Sequence, residues 1–139
     1  MSRFLIALVS LLTLGVAPAK GAAWRWSNPL PHGNNVNDFA FTTNRGYVQV
    51  GDSGQLYTSD DSVDWTRHDL GFREQLRAAT FFGDRFVATG EAGRVVWSDD
   101  LATFDTFSLG TANWLEGVAA SSTRLVAVGD NAAIYTSDT

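Results

Sequence analysis

The 139-residue chain contains no cysteine, which excludes disulfides, thiolate metal sites and a cysteine nucleophile. Lysine occurs once, as Lys20. Charged residues make up only 18% of the chain against 45% hydrophobic, a balance that argues against a disordered polymer. With 10 basic and 15 acidic side chains, the net charge of −5 offers no footprint for nucleic acid or an anionic membrane. After residue 23 no ten-residue stretch carries a convincing helical face, and no segment is long and apolar enough to span a bilayer. What is present is glycine, 13 of them, and five tryptophans, a mixture that suggests many turns between aromatic-rich strands. The length suits one domain.

Residues 1–23 read as a secretory signal. Arg3 supplies the positive n-region, Phe4 to Val16 is apolar, and Ala17-Pro18-Ala19 or Gly21-Ala22-Ala23 offers small residues for cleavage. The apolar stretch of 13 residues is short of the roughly 20 that cross a bilayer as a helix. Cleavage after Ala23 would remove Arg3 and Lys20, leaving 8 basic against 15 acidic groups, a net of −7. The expectation is an acidic, exported protein, periplasmic or extracellular, with no membrane span once the signal is removed.

A 39-residue repeat organises the rest. Gly51-Asp52, Gly90-Glu91 and Gly129-Asp130 are spaced by 39 and 39, as are Tyr47, Phe86 and Leu125, and Ser59-Asp60, Ser98-Asp99 and Ser137-Asp138. Trp26, Trp65 and Phe104 keep the same interval, and Arg45, Arg85 and Arg124 correspond once Gly46 is treated as an insertion. Within a copy the period is two, and short apolar runs are bounded by Gly, Asp and Asn. The middle copy predicts strands over 76–82, 85–89, 94–98 and 104–109, with hairpins at Gly51–Gly54 and Gly90–Gly93. Four short strands in about 40 residues are the signature of a β-propeller blade. The predicted fold is therefore all-β, with about three blades in an incomplete or open ring: residues 36–74, 75–113 and 114–139, with 24–30 as a closing strand.

A motif accompanies the repeat. Thr58-Ser59-Asp60-Asp61-Ser62-Val63-Asp64-Trp65 follows the pattern S/T-x-D-x-G-x-T-W, with Ser62 at the Gly position and Asp64 at the second Thr. Trp97 to Phe104 is a weaker copy that keeps Asp99, Thr103 and an aromatic, Phe104, and Thr136-Ser137-Asp138 begins a third. On these residues the chain resembles the BNR/Asp-box propellers, which include sialidases and photosystem II assembly/stability factor-like proteins. The Trp26-Ser-Asn-Pro-Leu-Pro lead-in and the Val-Gly-Asp-x-Gly turns look most like the second group. The resemblance implies that each box is a hairpin between third and fourth strands, its Asp bonded to turn backbone and its Trp packed beneath. The box residues Thr58, Asp60, Ser62, Trp65, Ser98, Asp99, Phe104, Thr136 and Asp138 are then structural.

For sialidase activity the resemblance implies an arginine cluster, a Tyr nucleophile with a Glu partner, and an acid/base Asp. Arg45, Arg85 and Arg124 fill one repeat position and read as scaffold; Tyr47, Tyr57 and Tyr135 sit on strands and read as core. His32 and His68 lack ligand spacing, and neither G-x-S-x-G nor H-E-x-x-H occurs. The sequence nominates no catalytic residue, metal ligand or cofactor. It nominates a recognition face on the end where inter-blade loops and second-to-third-strand turns emerge: Asn35, Asp52, Arg73, Arg77, Glu91, Trp114 and Asp130. Aromatic and Arg side chains among polar neighbours suit protein recognition, and once-per-blade carboxylates leave a weak cation-binding alternative. The expected function is a non-enzymatic scaffold for a protein or glycan ligand, against the alternative of a sialidase-type remnant. Three blades are few for a closed ring, so either truncation from a larger propeller or self-association through open blade edges is expected.

Overall fold

A computed structural model describes residues 33–138. The signal-like segment, the 24–30 strand, Trp26 and His32 lie outside the described residues. The remainder forms three antiparallel sheets in chain order. The first holds β1 (Val36–Thr42), β2 (Gly46–Gly51), β3 (Leu56–Ser59) and β4 (Thr66–His68). The second holds β5 (Leu76–Phe82), β6 (Arg85–Gly90), β7 (Arg94–Ser98) and β8 (Asp105–Ser108). The third holds β9 (Leu115–Ala120), β10 (Leu125–Gly129) and β11 (Ile134–Ser137). Each strand pairs with the next in sequence, as in a meander. These are propeller blades, and their first strands β1, β5 and β9 stand side by side.

Burial explains the apolar runs. Five consecutive residues of β6, Phe86 to Gly90, are buried, which requires cover on both faces of the sheet. The first blade contributes Val48, Val50 and Leu56 to a core whose other half is Leu76, Ala79, Phe86, Ala88 and Val96 of the second. Phe86 meets Phe81 edge-on with ring centroids 5.7 Å apart and Phe104 at 6.2 Å, geometry that aromatic quadrupoles favour.

The Gly-Asp/Glu repeat has two separate causes. Gly51, Gly90 and Gly129 are extended, and need no left-handed freedom. They lie where the first strand of the blade bulges, and a Cβ there would sit 2.2, 2.0 and 1.8 Å from the carbonyl oxygens of Asn35, Gln75 and Trp114. Those same carbonyls accept hydrogen bonds from the backbone N–H groups of Asp52 (3.2 Å), Glu91 (2.9 Å) and Asp130 (2.9 Å). Close backbone approach thus selects glycine. The left-handed conformations fall later, at Ser53-Gly54, Ala92-Gly93 and Asn131-Ala132.

Candidate recognition surface

The inter-blade loops and the second-to-third-strand turns meet on one end of the blades. The Gly93 N–H donates to the Asn113 carbonyl at 2.9 Å, and the Leu109 N–H donates to the Gly93 carbonyl at 3.0 Å. Here the sequence-nominated carboxylates prove to be employed. Asp52 accepts from the side-chain amides of Asn35 (2.8 Å) and Asn37 (3.1 Å). Glu91 accepts the Gln75 N–H at 3.2 Å, and Asp130 accepts the Trp114 N–H at 3.3 Å. Each holds the start of its own blade's first strand: Glu91 and Asp130 satisfy the backbone N–H just before it, and Asp52 the side-chain amides that flank it. Among the described residues no group of three or more His, Asp or Glu could hold a metal ion.

Arg77 and Trp114 are brought together. The Arg77 guanidinium lies 5.5 Å from the Trp114 ring centroid, and its Nε pairs with Glu116 at 2.9 Å. Asn37 reaches across blades to donate to the Leu76 carbonyl at 2.8 Å, and Asp38 accepts the Ala79 N–H at 2.8 Å. Arg73 stands apart from these, at a groove of about 270 Å³ lined also by Ser53, Gly54, Arg67, His68, Asp69, Gly71 and Phe72. Among the described residues neither Arg67 nor Arg73 has an ion-pair partner. Arg94 is different: it stacks over Phe72 at 4.5 Å and pairs with Glu74, whose carboxyl it holds below the usual range. Sequence reasoning missed Arg67, Asn37 and the Arg94–Glu74 pair. Arg67 sits on the short fourth strand, which carries no repeat signal of its own.

The opposite end carries the box-like turns, and they differ from the aligned motif by one residue. The turn-holding carboxylates are Asp61 and Asp100, not Asp60 and Asp99. Asp61 accepts the N–H groups of Val63 (2.8 Å) and Asp64 (2.9 Å), while the Ser59 hydroxyl oxygen accepts that of Ser62 at 2.9 Å. Asp100 accepts from Ala102 and Thr103, both at 2.8 Å, and the Ser98 hydroxyl oxygen accepts from Leu101 at 2.8 Å. An Asp reaches N–H groups two and three residues ahead, so the second of the adjacent acidic residues fits the turn. Ser62 and Leu101 occupy the motif's Gly position with φ of 64° and 59°, a left-handed backbone that side-chain-bearing residues seldom adopt.

The Asp at the aligned motif position pairs with an arginine in the second and third copies. Asp99 takes Arg85 bidentately, at 2.7 and 3.1 Å, with Arg85 also 4.7 Å from the Trp97 ring centroid. Asp138 takes Arg124 at 2.6 Å. Asp60 lines a groove of about 610 Å³ with Arg45, Thr58, Asp100 and Leu101. Thr136 is exposed on β11. Thr58 joins third and fourth strands, its hydroxyl 2.8 Å from His68 Nε2. Trp65, expected beneath the turn, is half-buried and edge-on to Phe39 at 5.8 Å. Phe104, its counterpart, packs on His68 at 4.7 Å and on Phe86.

The titration shifts follow from these contacts. The backbone N–H groups of Thr103 and Ala102 hold the Asp100 carboxyl down at about 2. Those of Asp64 and Val63 lower Asp61, and the Arg85 hydrogen bond lowers Asp99. Burial lowers His68. These perturbations arise at turns, ion pairs and packed rings, without a paired nucleophile and base in a cleft.

Fold and surface together define a three-blade β-propeller segment. No protein-family model matches the chain, and no curated protein matches it either. Among solved structures, "YCF48 bound to D1 peptide" is similar, with a TM-score of 0.66 at 18% identity over 78% of this chain. The likeness covers 38% of that structure's chain and concerns the fold.

Proposed function

We propose that this chain is an exported, non-enzymatic propeller module that binds a protein segment on its loop end and serves as an assembly scaffold. The observation that carries the reading is the shared fold with a propeller solved with a peptide bound. The chemistry of the loop end supports it: Arg67 and Arg73 beside Phe72 in an open groove suit an extended segment that carries a carboxylate, since Arg and aromatic side chains dominate protein hot spots. Against the sialidase-remnant reading stands the pairing of Arg77, Arg85, Arg94 and Arg124 with carboxylates. A paired arginine is a poor receptor for a substrate carboxylate.

Fluorescence polarisation with labelled acidic peptides, and with basic peptides of equal length, tests the reading. Acidic peptides should bind, and Arg67→Ala with Arg73→Ala should weaken them about tenfold, equivalent to ~1.4 kcal/mol. Binding that ignores both substitutions, or turnover of a fluorogenic sialoside, overturns it.

A further inference from the structure

The second and third blades each pair an arginine with the Asp at the aligned motif position, Arg85 with Asp99 and Arg124 with Asp138. The strand register shows why the first blade does not. Phe41 lies across from Tyr47 as Phe81 lies across from Phe86, and one step further Thr42 faces Gly46 where Phe82 faces Arg85. Gly46, not Arg45, therefore stands at the structural position of Arg85. Arg45 is carried into the turn, where its backbone N–H donates to the Thr42 carbonyl at 3.2 Å.

Asp60, the counterpart of Asp99, is thereby separated from its arginine. Gly46 has φ of 80°, and a Cβ on it would sit 2.6 Å from the Ser59 carbonyl oxygen and 3.3 Å from Asp60 Oδ1, so this position cannot bear a side chain without moving backbone. Among the described residues Asp60 is exposed and has no ion pair. Arg45 has none either, and its charge acts on the second blade: the Asp99 carboxyl is lowered first by its Arg85 bond and to a lesser degree by Arg45.

What the second blade fills with its own guanidinium is, in the first, part of the groove of about 610 Å³. Gly46, Thr58 and Asp60 line it from the first blade and Asp100 and Leu101 from the second, and the Phe41 ring, 56% exposed, lines it too. Thr58 is the repeat counterpart of Trp97, over which Arg85 stacks at 4.7 Å, and the smaller side chain leaves the groove wider. Asp100 is engaged by the N–H groups of its own turn, which leaves Asp60 as the uncommitted carboxylate. We propose that this groove receives an arginine side chain of a partner protein, its guanidinium set on Asp60 as Arg85 is set on Asp99. A planar guanidinium matches a carboxylate bidentately and stacks on aromatic faces, which an ammonium does not. The site lies at the box-like turns, on the opposite end from the Arg67–Arg73 groove, and does not rest on the function proposed for that groove.

Amide-detected NMR titration of the full chain with a capped Gly-Gly-Arg-Gly-Gly peptide tests the site. The Gly46 and Asp60 signals should shift, and replacing the peptide's arginine with uncharged citrulline should weaken binding about tenfold. Asp60→Asn should weaken the arginine peptide to the same degree, whereas Arg45→Ala, which removes a like charge, should not weaken it. Deleting Gly46 together with Thr43→Gly gives this hairpin the two-residue loop of the second blade and brings Arg45 to the register of Arg85. That variant should fill Asp60 from within and lose the peptide; if its thermal melt shows that it does not fold, Asp60→Asn decides alone. Arg67→Ala with Arg73→Ala should leave the titration unchanged, so failure here and failure of the acidic-peptide reading are told apart. Shifts that avoid Gly46 and Asp60, equal binding of the citrulline peptide, affinity retained in Asp60→Asn, or binding lost in Arg45→Ala overturns the proposal.

Discussion

Replacing Phe86 with alanine removes the largest fully buried side chain of the described residues. Its ring touches Phe81 and Phe104 edge-on in the core that joins first and second blades, where Val48 and Val50 leave little room to collapse inward. Lost transfer energy together with an unfilled cavity makes such truncations cost about 3–5 kcal/mol. Phe107, on β8 of the same blade, is 47% exposed. Roughly half of its transfer term is absent and no closed cavity forms, so Phe107→Ala should cost about 1 kcal/mol. Urea unfolding followed by tryptophan fluorescence measures both, with a common slope required before the midpoints are compared. For a domain of about 100 residues each kcal/mol shifts Tm by roughly 4–8 °C, so a thermal melt should separate the variants by at least about 8 °C. If both substitutions cost the same within about 0.5 kcal/mol, the assignment of the inter-blade core is wrong.

Other expectations rest on single contacts. Gly90→Ala should destabilise by more than about 1 kcal/mol, because the new Cβ meets the Gln75 carbonyl oxygen at 2.0 Å and the inter-strand bond beside it must stretch; equilibrium unfolding reads this directly. Ala132→Gly should stabilise by about 0.5–1 kcal/mol, since Ala132 has φ of 56° where Gly54 and Gly93 stand in the other copies; a lowered melting temperature would count against the turn geometry. His68 is lowered from 6.5 by burial, so the unfolded chain takes up its proton first and stability should fall as pH drops below about 6.5; His68→Gln should flatten that dependence. A carboxyl-detected NMR titration should place Asp100 near 2. Arg85→Ala should raise Asp99 and leave Asp100 in place, because Asp99 is lowered mainly by the Arg85 bond whereas Asp100 is lowered by backbone N–H groups.

The sequence by itself determined the all-β class, the 39-residue repeat and nearly every strand. Period-two apolar runs bounded by Gly and Asp locate β5 at Leu76–Phe82 and β7 at Arg94–Ser98 to the residue, since strand length and turn chemistry are local properties. Tertiary structure decided everything that depends on a partner distant in sequence. Adjacent Asp residues look alike in a sequence, and only the turn geometry gives the backbone N–H groups to Asp61 and Asp100 and an arginine to Asp99. Asp52, Glu91 and Asp130 repeat once per blade whether they face a ligand or their own strand, and the start of the first strand claims them. Trp65 and Phe104 share a repeat position, yet Phe104 enters a core because another blade stands before it. Val50 and Val128 are the same residue at the same position, and their burial differs because a repeat records which faces are apolar while neighbours in space decide which of them are covered.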